Sequence, residues 1–323
     1  MPDTPDSSSD RLRVGVAGVG SIGKNHARIF SELPRADLSV IFDADEACAK
    51  ELAGTYGCRA ATTLEEFTES IDAATVATPT NTHCDIGSAL LKAGKHVLIE
   101  KPITYTTEEA IQLVDLAAEH NRVLQVGHIE RFNPVLAKLE EQLTEAKFIE
   151  AHRLSPFPNR STDIGVVLDL MIHDIEIILH LVRSEIETID AVGIPVLTKR
   201  EDIANARLRF TNGCVANITA SRISPEKMRK IRVFQHDMYL SLDYQDQTGE
   251  LFRKTGLAIN REQVTVEKDE PLKLELAAFV DCAEKGVRPK VSGNEAAAAL
   301  KVAIAVTRKI EEGGGIFQPM DIG

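Results

Sequence analysis

Short apolar runs alternate with longer amphipathic segments up to about residue 125 of the chain. The runs are rich in Val, Ile, Leu and Ala, which predicts strands, and the segments between them space their apolar residues as a helix does. Alternation of this kind predicts a parallel sheet with helices on both faces. The predicted strands are 12–17, 38–42, 73–77, 96–99 and 123–126, and the predicted helices are 22–33, 46–56, 83–93 and 107–119.

After about residue 145 the pattern changes towards strands. Two alternating runs flank Thr211-Asn212-Gly213, and Asn-Gly in this position predicts a tight hairpin. The second half therefore resembles a mainly antiparallel sheet with a few helices. Its predicted strands are 204–210, 214–221, 230–235, 239–243 and 250–254, and its predicted helices are 167–181, 272–285 and 294–311.

Composition and charge narrow the class of protein. The chain has 323 residues, of which 43% are hydrophobic and 27% charged, as in a globular protein of about two domains. The formal net charge of −12 disfavours a nucleic-acid partner, and no apolar run is long enough to cross a membrane. Five widely spaced cysteines without a Cys-x-x-Cys motif predict reduced thiols, no metal site and a cytoplasmic protein.

A glycine motif follows the first predicted strand. Its first glycine permits a tight turn, its second lets the backbone approach a pyrophosphate, and its third lets helix and strand pack closely. Asp43 stands 20 residues after the motif, where a carboxylate binds a ribose hydroxyl and repels a 2′-phosphate, which favours NAD over NADP. Asp45 either shares this role or caps the next helix, and the alternative to the whole interpretation is a glycine-rich turn in an unrelated α/β domain. The predicted cofactor contacts in this part of the chain are Gly18, Gly20, Ser21, Ile22, Gly23 and Asp43.

Two further segments follow predicted strands and would lie at the same edge of the sheet. They are residues 77–83 and Lys101, which stands before Pro102. Ligands of open parallel sheets bind at the carboxyl ends of the strands. The alternatives are a proline turn in which Thr82 caps a helix, and an ordinary solvated lysine.

A predicted helix in the second half carries polar residues at helical spacing. Asp169, His173, Glu176 and His180 form one narrow stripe on an otherwise apolar surface. Such a stripe faces either bulk water or a wet cleft. In a cleft, His173 has the chemistry for proton transfer near neutral pH, and Asp169 is close enough in sequence to orient it.

In this order, the four features resemble the Gfo/Idh/MocA family of sugar dehydrogenases. The most specific of them are Glu100-Lys101-Pro102 and Asp169-x-x-x-His173, and the resemblance covers nearly the whole chain after residue 10. It implies NAD as cofactor, no metal, and a small-molecule substrate. It also implies an open antiparallel sheet in the C-terminal domain, through which such chains often form oligomers, here a homodimer or homotetramer.

The resemblance implies roles for individual residues. Lys101 is expected beside the nicotinamide and the reacting hydroxyl, His173 as the proton acceptor, and Asp169 as a substrate-binding or supporting partner. Which of Lys101 and His173 removes the proton stays open. Outside the glycine motif, the implied cofactor contacts are Thr78, Pro79, Asn81, His83, Glu100 and Lys101.

Residues 127–134 and 153–156 resemble a branch of the family that acts on UDP-N-acetylglucosamine. That branch oxidises the 3-hydroxyl to UDP-3-keto-GlcNAc, which an aminotransferase can aminate for lipid A or surface-glycan synthesis. Arginine matches phosphate geometry, so the arginines there are expected at the pyrophosphate or uracil, with surface salt bridges as the alternative. Gly165-Val166-Val167 departs from the Gly-Gly-Gly-like run of many relatives. The predicted substrate contacts are Arg131, Asn133, Arg153, Arg160, Asp169 and His173.

These observations predict an α/β fold in which a Rossmann domain, a doubly wound parallel sheet, precedes an α+β domain with a mainly antiparallel open sheet. The expected divisions are a tail at 1–10, the NAD-binding domain at 11–127 and the substrate and oligomerisation domain at 128–323. The C-terminal helix is expected either to stay in the second domain or to pack back on the first. Two other functions remain open: a dehydrogenase of a free sugar or inositol, and a non-catalytic NAD-dependent sensor.

Overall fold

The computed structural model describes residues 11–157 and 164–313. The chain divides into two compact units. Of the described residues, the first contains 11–129 and 270–297, and the second contains 130–157, 164–269 and 298–313. The sequence placed everything after residue 127 in a second domain, whereas segment 270–297 packs with the first unit.

The first unit is built on a six-stranded parallel sheet. The strand order is the third, second, first, fourth, fifth and sixth, as in dinucleotide-binding folds. The strands are β1 (Leu12–Ala17), β2 (Ala36–Phe42), β3 (Arg59–Ala61), β4 (Ala73–Val76), β5 (His96–Glu100) and β6 (Leu124–Gly127). The helices, numbered in chain order, are α1 (Gly23–Glu32), α2 (Glu46–Tyr56), α3 (Leu64–Glu69), α4 (His83–Lys92), α5 (Thr107–Glu119) and α8 (Pro271–Lys285).

Local signals set the ends of several of these helices. Thr106 and Glu109 form a reciprocal capping box at the start of α5. Gly94 lies past the end of α4 with φ +74°, a conformation that favours glycine. The predicted bounds of β1, α2 and α5 are confirmed. Both helices are capped by a side chain, α2 by Asp45 and α5 by Thr106.

Helix α8 joins the first unit through an apolar stripe. Leu272, Leu276, Phe279 and Val280 are buried in one core with residues of α1, among them Phe30. Burying side chains of this size contributes about 1.5–3 kcal/mol each. This burial is the physical reason why 270–297 belongs to the first unit.

The second unit contains an eight-stranded sheet. Its order is β14-β13-β12-β11-β7-β10-β9-β8, and every neighbouring pair is antiparallel except β7 with β10. The strands are β7 (Phe148–Leu154), β8 (Ile186–Ile194), β9 (Ile203–Phe210), β10 (Val215–Ser221), β11 (Met228–Gln235), β12 (Met238–Asp243), β13 (Thr248–Thr255) and β14 (Ala258–Val264). The predicted hairpin is present between β9 and β10, with Gly213 at φ +84°. The predicted fold class is confirmed.

Helices cover one face of this sheet and leave the other open. The remaining helices are α6 (Pro134–Gln142), α7 (Ile172–Val182), which follows a π-helical turn at Val167–Met171, and α9 (Gly293–Glu312), within which the two units divide. On the open face, Phe148, Phe234, Tyr239 and Phe252 form a row with ring centroids 4.3–5.7 Å apart. Association of chains through this sheet stays a prediction that light scattering of the purified chain can check.

Several short or irregular elements escaped the sequence analysis, namely β3, α3, α6, β7, β8 and β14. Strand β14 is exposed along nearly its whole length, so it has no apolar alternation to reveal it. Among the residues that the structure describes, no helix is long and apolar enough to span a membrane. The same residues contain no cluster of three or more His, Cys, Asp or Glu side chains that could hold a metal ion.

Candidate active site

The glycine turn between β1 and α1 brings two backbone segments into contact. Gly18 has φ +87°, and a Cβ there would stand 2.7 Å from backbone atoms of Ala77 and Thr78. A Cβ on Gly23 would overlap the carbonyl oxygen of Gly18. At Gly20, by contrast, no described atom lies within 4 Å of where a Cβ would stand. Two glycines therefore allow close packing, and the third leaves the turn open to a ligand.

The start of α1 fits a pyrophosphate. Ile22 occupies the N-cap, and no described side chain caps this end of the helix. Ser21 is exposed beside it, and its carbonyl oxygen accepts a hydrogen bond from the Asn25 side chain at 3.1 Å. Backbone N–H groups and the positive end of the helix dipole favour an anion at such a terminus. These groups would hold the diphosphate of NAD.

Asp43 is held against the glycine turn. One of its carboxylate oxygens accepts the N–H of Val19 at 2.6 Å, and the other accepts the N–H of Asp45 at 2.8 Å. The carboxylate oxygens can accept more than one hydrogen bond each, so they can also receive the hydroxyls of a ribose. Asp45 instead caps α2 through the N–H groups of Ala47 and Cys48, so the alternative that it is a helix cap is the correct one.

The loop after β4 is tied to the loop after β5 by His83. This side chain is buried, with Nε2 2.9 Å from the carbonyl oxygen of Thr78 and Nδ1 3.0 Å from that of Pro102. Burial lowers the pKa of His83, although the carbonyl acceptors favour its charged form. We therefore interpret His83 as a residue that positions two loops.

The residues of this loop differ in exposure. Pro79 and Asn81 are exposed, whereas Thr78 is half-buried beside Gly18. Thr82 occupies the N-cap of α4, but its hydroxyl lies 2.7 Å from that of Thr78 and bonds no helix N–H. The alternative in which Thr82 caps the helix through its side chain is therefore wrong.

Glu100 and Lys101 end β5 at the same edge of the sheet. The Glu100 carboxylate lies 3.3 Å from Nε2 of the buried His26 and accepts the N–H of Lys101 at 3.3 Å. Burial alone would raise the pKa of Glu100, but the hydrogen bond and charge of His26, together with Lys101, outweigh it and lower the pKa. Lys101 is half-buried, and the peptide bond between it and Pro102 is cis.

In the second unit, Asp169 lies in the π-helical turn and His173 in the first turn of α7, both half-buried. Turns of this kind are frequent at functional sites, because they change the direction of side chains along a helix. The preceding segment is packed tightly: a Cβ on Gly165 would overlap the carboxylate of Glu201, which accepts the N–H of Val167 at 3.3 Å. A side chain at 165 would therefore displace the Glu201 carboxylate, whereas valine is accommodated at 166 and 167.

The polar stripe of α7 does not face bulk water. Glu176 is 2% exposed and accepts a hydrogen bond from Arg131, also 2% exposed, at 2.6 Å. His180 at the other end of the stripe lies 3.0 Å from Glu140. Of the two interpretations that periodicity left open, the solvent face is wrong at Glu176.

Arg153 is bound to two carboxylates inside the second unit. Its guanidinium donates to both oxygens of Asp174, at 2.8 and 3.0 Å, and to Glu130 at 3.0 Å. Burial opposes the charge of Arg153, but Asp174 and Glu130 outweigh it and raise the pKa. Asn133 is also buried, caps α6 and donates to the carbonyl of Tyr244 at 2.9 Å.

Three predicted substrate contacts, Arg131, Arg153 and Asn133, thus bond to other groups within the domain, which disfavours them as ligands of a nucleotide. Each of these residues is no more than 3% exposed. Buried guanidinium groups bonded to carboxylates are needed to balance those charges and leave few donors for a phosphate. Arg160, the remaining arginine among the predicted substrate contacts, lies outside the described residues.

Two family models match the chain. The model of the Gfo/Idh/MocA oxidoreductase family, NAD-binding Rossmann fold, matches residues 12–128. The model of the Gfo/Idh/MocA C-terminal domain matches residues 142–238.

Curated relatives extend over nearly the whole chain. UDP-N-acetylglucosamine 3-dehydrogenase of Acidithiobacillus ferrooxidans is 37% identical over 91% of this chain and 97% of the relative. Inositol 2-dehydrogenase of Rhizobium meliloti is 26% identical over 93% of this chain and 97% of the relative.

Solved structures also match this chain over nearly its whole length. A structure of the Acidithiobacillus ferrooxidans UDP-N-acetylglucosamine 3-dehydrogenase matches with a TM-score of 0.89 at 34% identity, covering 94% of this chain and 98% of that one. A levoglucosan dehydrogenase in complex with NADH and levoglucosan matches with a TM-score of 0.85 over the same shares. Its identity is 19%, so it shows the fold alone.

Replacing Asp43 with Ala should relax the preference for NADH over NADPH. The variant lacks the carboxylate that binds a ribose and repels a 2′-phosphate, so we expect the ratio of the two dissociation constants to fall about 10- to 100-fold. Fluorescence titration of both cofactors measures this ratio. Asp45→Ala is the matched control: it removes a helix cap and should leave the ratio unchanged. An unchanged ratio in the Asp43 variant would contradict the assignment.

Replacing Arg153 with Met should destabilise the protein. The change leaves Asp174 buried without its cation and Glu130 with only the partly exposed Arg229, and breaking a buried pair typically costs about 3–5 kcal/mol. Urea unfolding measures the loss. Arg232→Met is the control, because Arg232 is exposed beside Glu150 and should contribute less than about 1 kcal/mol. A stable Arg153 variant with weakened nucleotide binding would restore Arg153 as a substrate ligand.

Proposed function

Because this chain belongs to the Gfo/Idh/MocA family of NAD-dependent oxidoreductases, which act on CH–OH groups, we propose that it oxidises the 3-hydroxyl of UDP-N-acetylglucosamine to UDP-3-keto-GlcNAc. The observation that carries the proposal is the 37% identity to a UDP-N-acetylglucosamine 3-dehydrogenase over 97% of that relative. Inositol dehydrogenases aligned over a similar share of the chain are 25–28% identical. The product has the keto group that an aminotransferase requires, as expected for lipid A or surface-glycan synthesis.

The residues of the first unit provide what NAD requires. The open turn at Gly20 and the start of α1 would receive the diphosphate, and Asp43 would bind the ribose of the adenosine half. Lys101 directly follows β5, at the edge where parallel sheets bind ligands, and we place it beside the nicotinamide. When bound, NAD supplies the acceptor for the hydride that leaves the sugar carbon.

We assign the hydroxyl proton to His173. As the C–H electron pair leaves the carbon as hydride, the O–H bond breaks, its electrons form the C=O bond, and the proton moves to the imidazole. Asp169, which precedes His173 by four residues, would stabilise the resulting positive charge. The half-buried position of His173 keeps its ring accessible while limiting the water around it.

Substrate screening tests the proposed function. With NAD present, UDP-N-acetylglucosamine should give NADH absorbance, and myo-inositol and free N-acetylglucosamine should give far less. UDP-N-acetylglucosamine at about 100 times its Kd should also stabilise the protein by about 2.7 kcal/mol in a thermal-shift assay. Turnover of inositol without a response to UDP-sugars would replace the proposal with the inositol dehydrogenase alternative. Binding of NADH without any turnover would favour a non-catalytic sensor.

Replacing His173 with Ala should lower kcat about 10²- to 10⁴-fold, because general-base catalysis contributes a factor of this size. The affinity for NADH should stay unchanged. Lys101→Met is the comparison, because the sequence left open whether His173 or Lys101 removes the proton. If His173→Ala keeps full turnover and Lys101→Met loses it, the base is Lys101.

A further inference from the structure

Several polar side chains point from the parallel sheet of the first unit into the layer beneath α1 and α8. Leu98 of β5 belongs to the apolar core shared with those two helices. Residues paired across neighbouring strands share a face, and side chains alternate along each strand. Thr75 and Gln125 pair with Leu98, and Glu100 follows it by two residues, so all of them face the same layer. Polar groups therefore concentrate on one side of the sheet, close to its carboxyl edge.

Glu275 enters this layer from α8. It stands within the apolar stripe of that helix, is 0% exposed, and its backbone carbonyl accepts a hydrogen bond from Gln125 at 3.2 Å. Neither of its carboxyl oxygens has a hydrogen-bond partner among the described residues. An isolated carboxylate in such surroundings is strongly disfavoured, so the group must be neutral or share a charge with a neighbour.

Glu100 is the neighbour whose charge acts on Glu275. The Glu100 carboxylate has its own partners in His26 and the Lys101 N–H, and a Cβ on Gly127 would stand 2.8 Å from its Oε1. The absence of a side chain at 127 therefore makes room for this carboxylate. Two carboxyl groups in one dry layer cannot both ionise freely, and of the two it is Glu100 whose carboxylate has partners, in His26 and the Lys101 N–H.

The directions of the two pKa values agree with this geometry. Burial, with the Glu100 charge added to it, raises the pKa of Glu275 well above its usual range. The pKa of Glu100 is lowered, because His26 and Lys101 outweigh burial. Among the described residues, the other titratable groups whose charge interacts with Glu100 are His26 on α1, His83 at the start of α4, and Lys101 directly after β5.

Further polar atoms in the layer need partners. Nδ1 of His26, Oγ1 of Thr75 and Oε1 of Gln125 are buried without a hydrogen-bond partner among the described residues. Buried groups of this kind are ordinarily satisfied by internal water, which makes about three hydrogen bonds. Water in this layer would connect Glu275 with Glu100.

We propose that Glu275 is a positioning residue of the reaction: it remains a neutral carboxylic acid, shares its proton with the Glu100 carboxylate through buried water, and thereby holds the Lys101 segment in place. Its effect on turnover rests on the proposed function, whereas its protonation and its effect on cofactor binding do not. If Glu275 ionises, two negative charges repel one another in the layer, and the contact of Glu100 with the Lys101 N–H weakens.

The pH dependence of stability tests the protonation. In the unfolded chain Glu275 ionises near pH 4.3, whereas in the fold it keeps its proton to higher pH, so the folded state binds more protons and stability falls as pH rises. Glu275→Gln removes this fall. We expect its Tm to match that of the unchanged protein at about pH 5 and to exceed it by about 2–4 °C or more at about pH 9. Glu119→Gln, an exposed change on α5, should show no such trend. Parallel Tm curves for the Glu275→Gln variant and the unchanged protein would overturn the proposal.

The pH dependence of NADH binding tests the positioning. At alkaline pH the unchanged protein should lose affinity for NADH, and Glu275→Gln should keep it, because its neutral amide cannot repel Glu100. Glu275→Leu, which cannot bond the buried water, should lower kcat with UDP-N-acetylglucosamine about tenfold or more at neutral pH, while Glu275→Gln retains it. Identical NADH pH profiles in all three proteins would leave Glu275 a purely structural acid and refute the proposal. If UDP-N-acetylglucosamine is not oxidised, the proposed function fails, and the Tm and NADH measurements still decide the role of Glu275.

Discussion

The cofactor-binding edge of the first unit depends on one constraint, the contact of backbone with backbone at the glycine turn. Gly18 meets the residues after β4 so closely that a Cβ has no room, and Gly23 meets Gly18 in the same way. Because the turn lies against the sheet, Asp43 reaches it from the end of β2. His83 then ties Thr78 to the loop after β5, so three loops share one edge. A larger side chain at either glycine would separate them.

Charge in the second unit is balanced where water is excluded. Glu130, Asp174 and Glu176 are buried with Arg131 and Arg153, and the partly exposed Arg229 adds a third cation beside Glu130. Such a network costs desolvation energy and is stable only when every charge has its partner. Asp174 and Glu176 of this network lie on α7, the helix that carries His173, so the position of the proposed base depends in part on these ion pairs.

In both units, the type of a residue does not indicate whether its role is functional or structural. Arg131 and Arg153 have the chemistry to bind a phosphate, but they pair with buried carboxylates. His83 positions two backbone segments, the loops after β4 and β5. Conversely, His26 and Glu275 belong to no motif, yet His26 lowers the pKa of Glu100, and burial raises the pKa of Glu275. A sequence signal for Glu275 was present: it is the acidic residue within the stripe Leu272, Leu276, Phe279, an apolar face that buries its members. Burial shifts the pKa of an ordinary residue, and whether a residue is buried depends on the tertiary structure.

The sequence by itself determined the fold class, the parallel and antiparallel halves, most element bounds and the glycine turn. These features depend on periodicity, capping and backbone conformation within a few residues, so they can be predicted directly from the sequence. It did not determine that α8 packs with the first unit, that the turn before α7 is π-helical, or that Arg153 is committed to Asp174. These depend on which distant side chains share a dry interior, because desolvation and pairing energies exist only once the tertiary structure has brought the partners together.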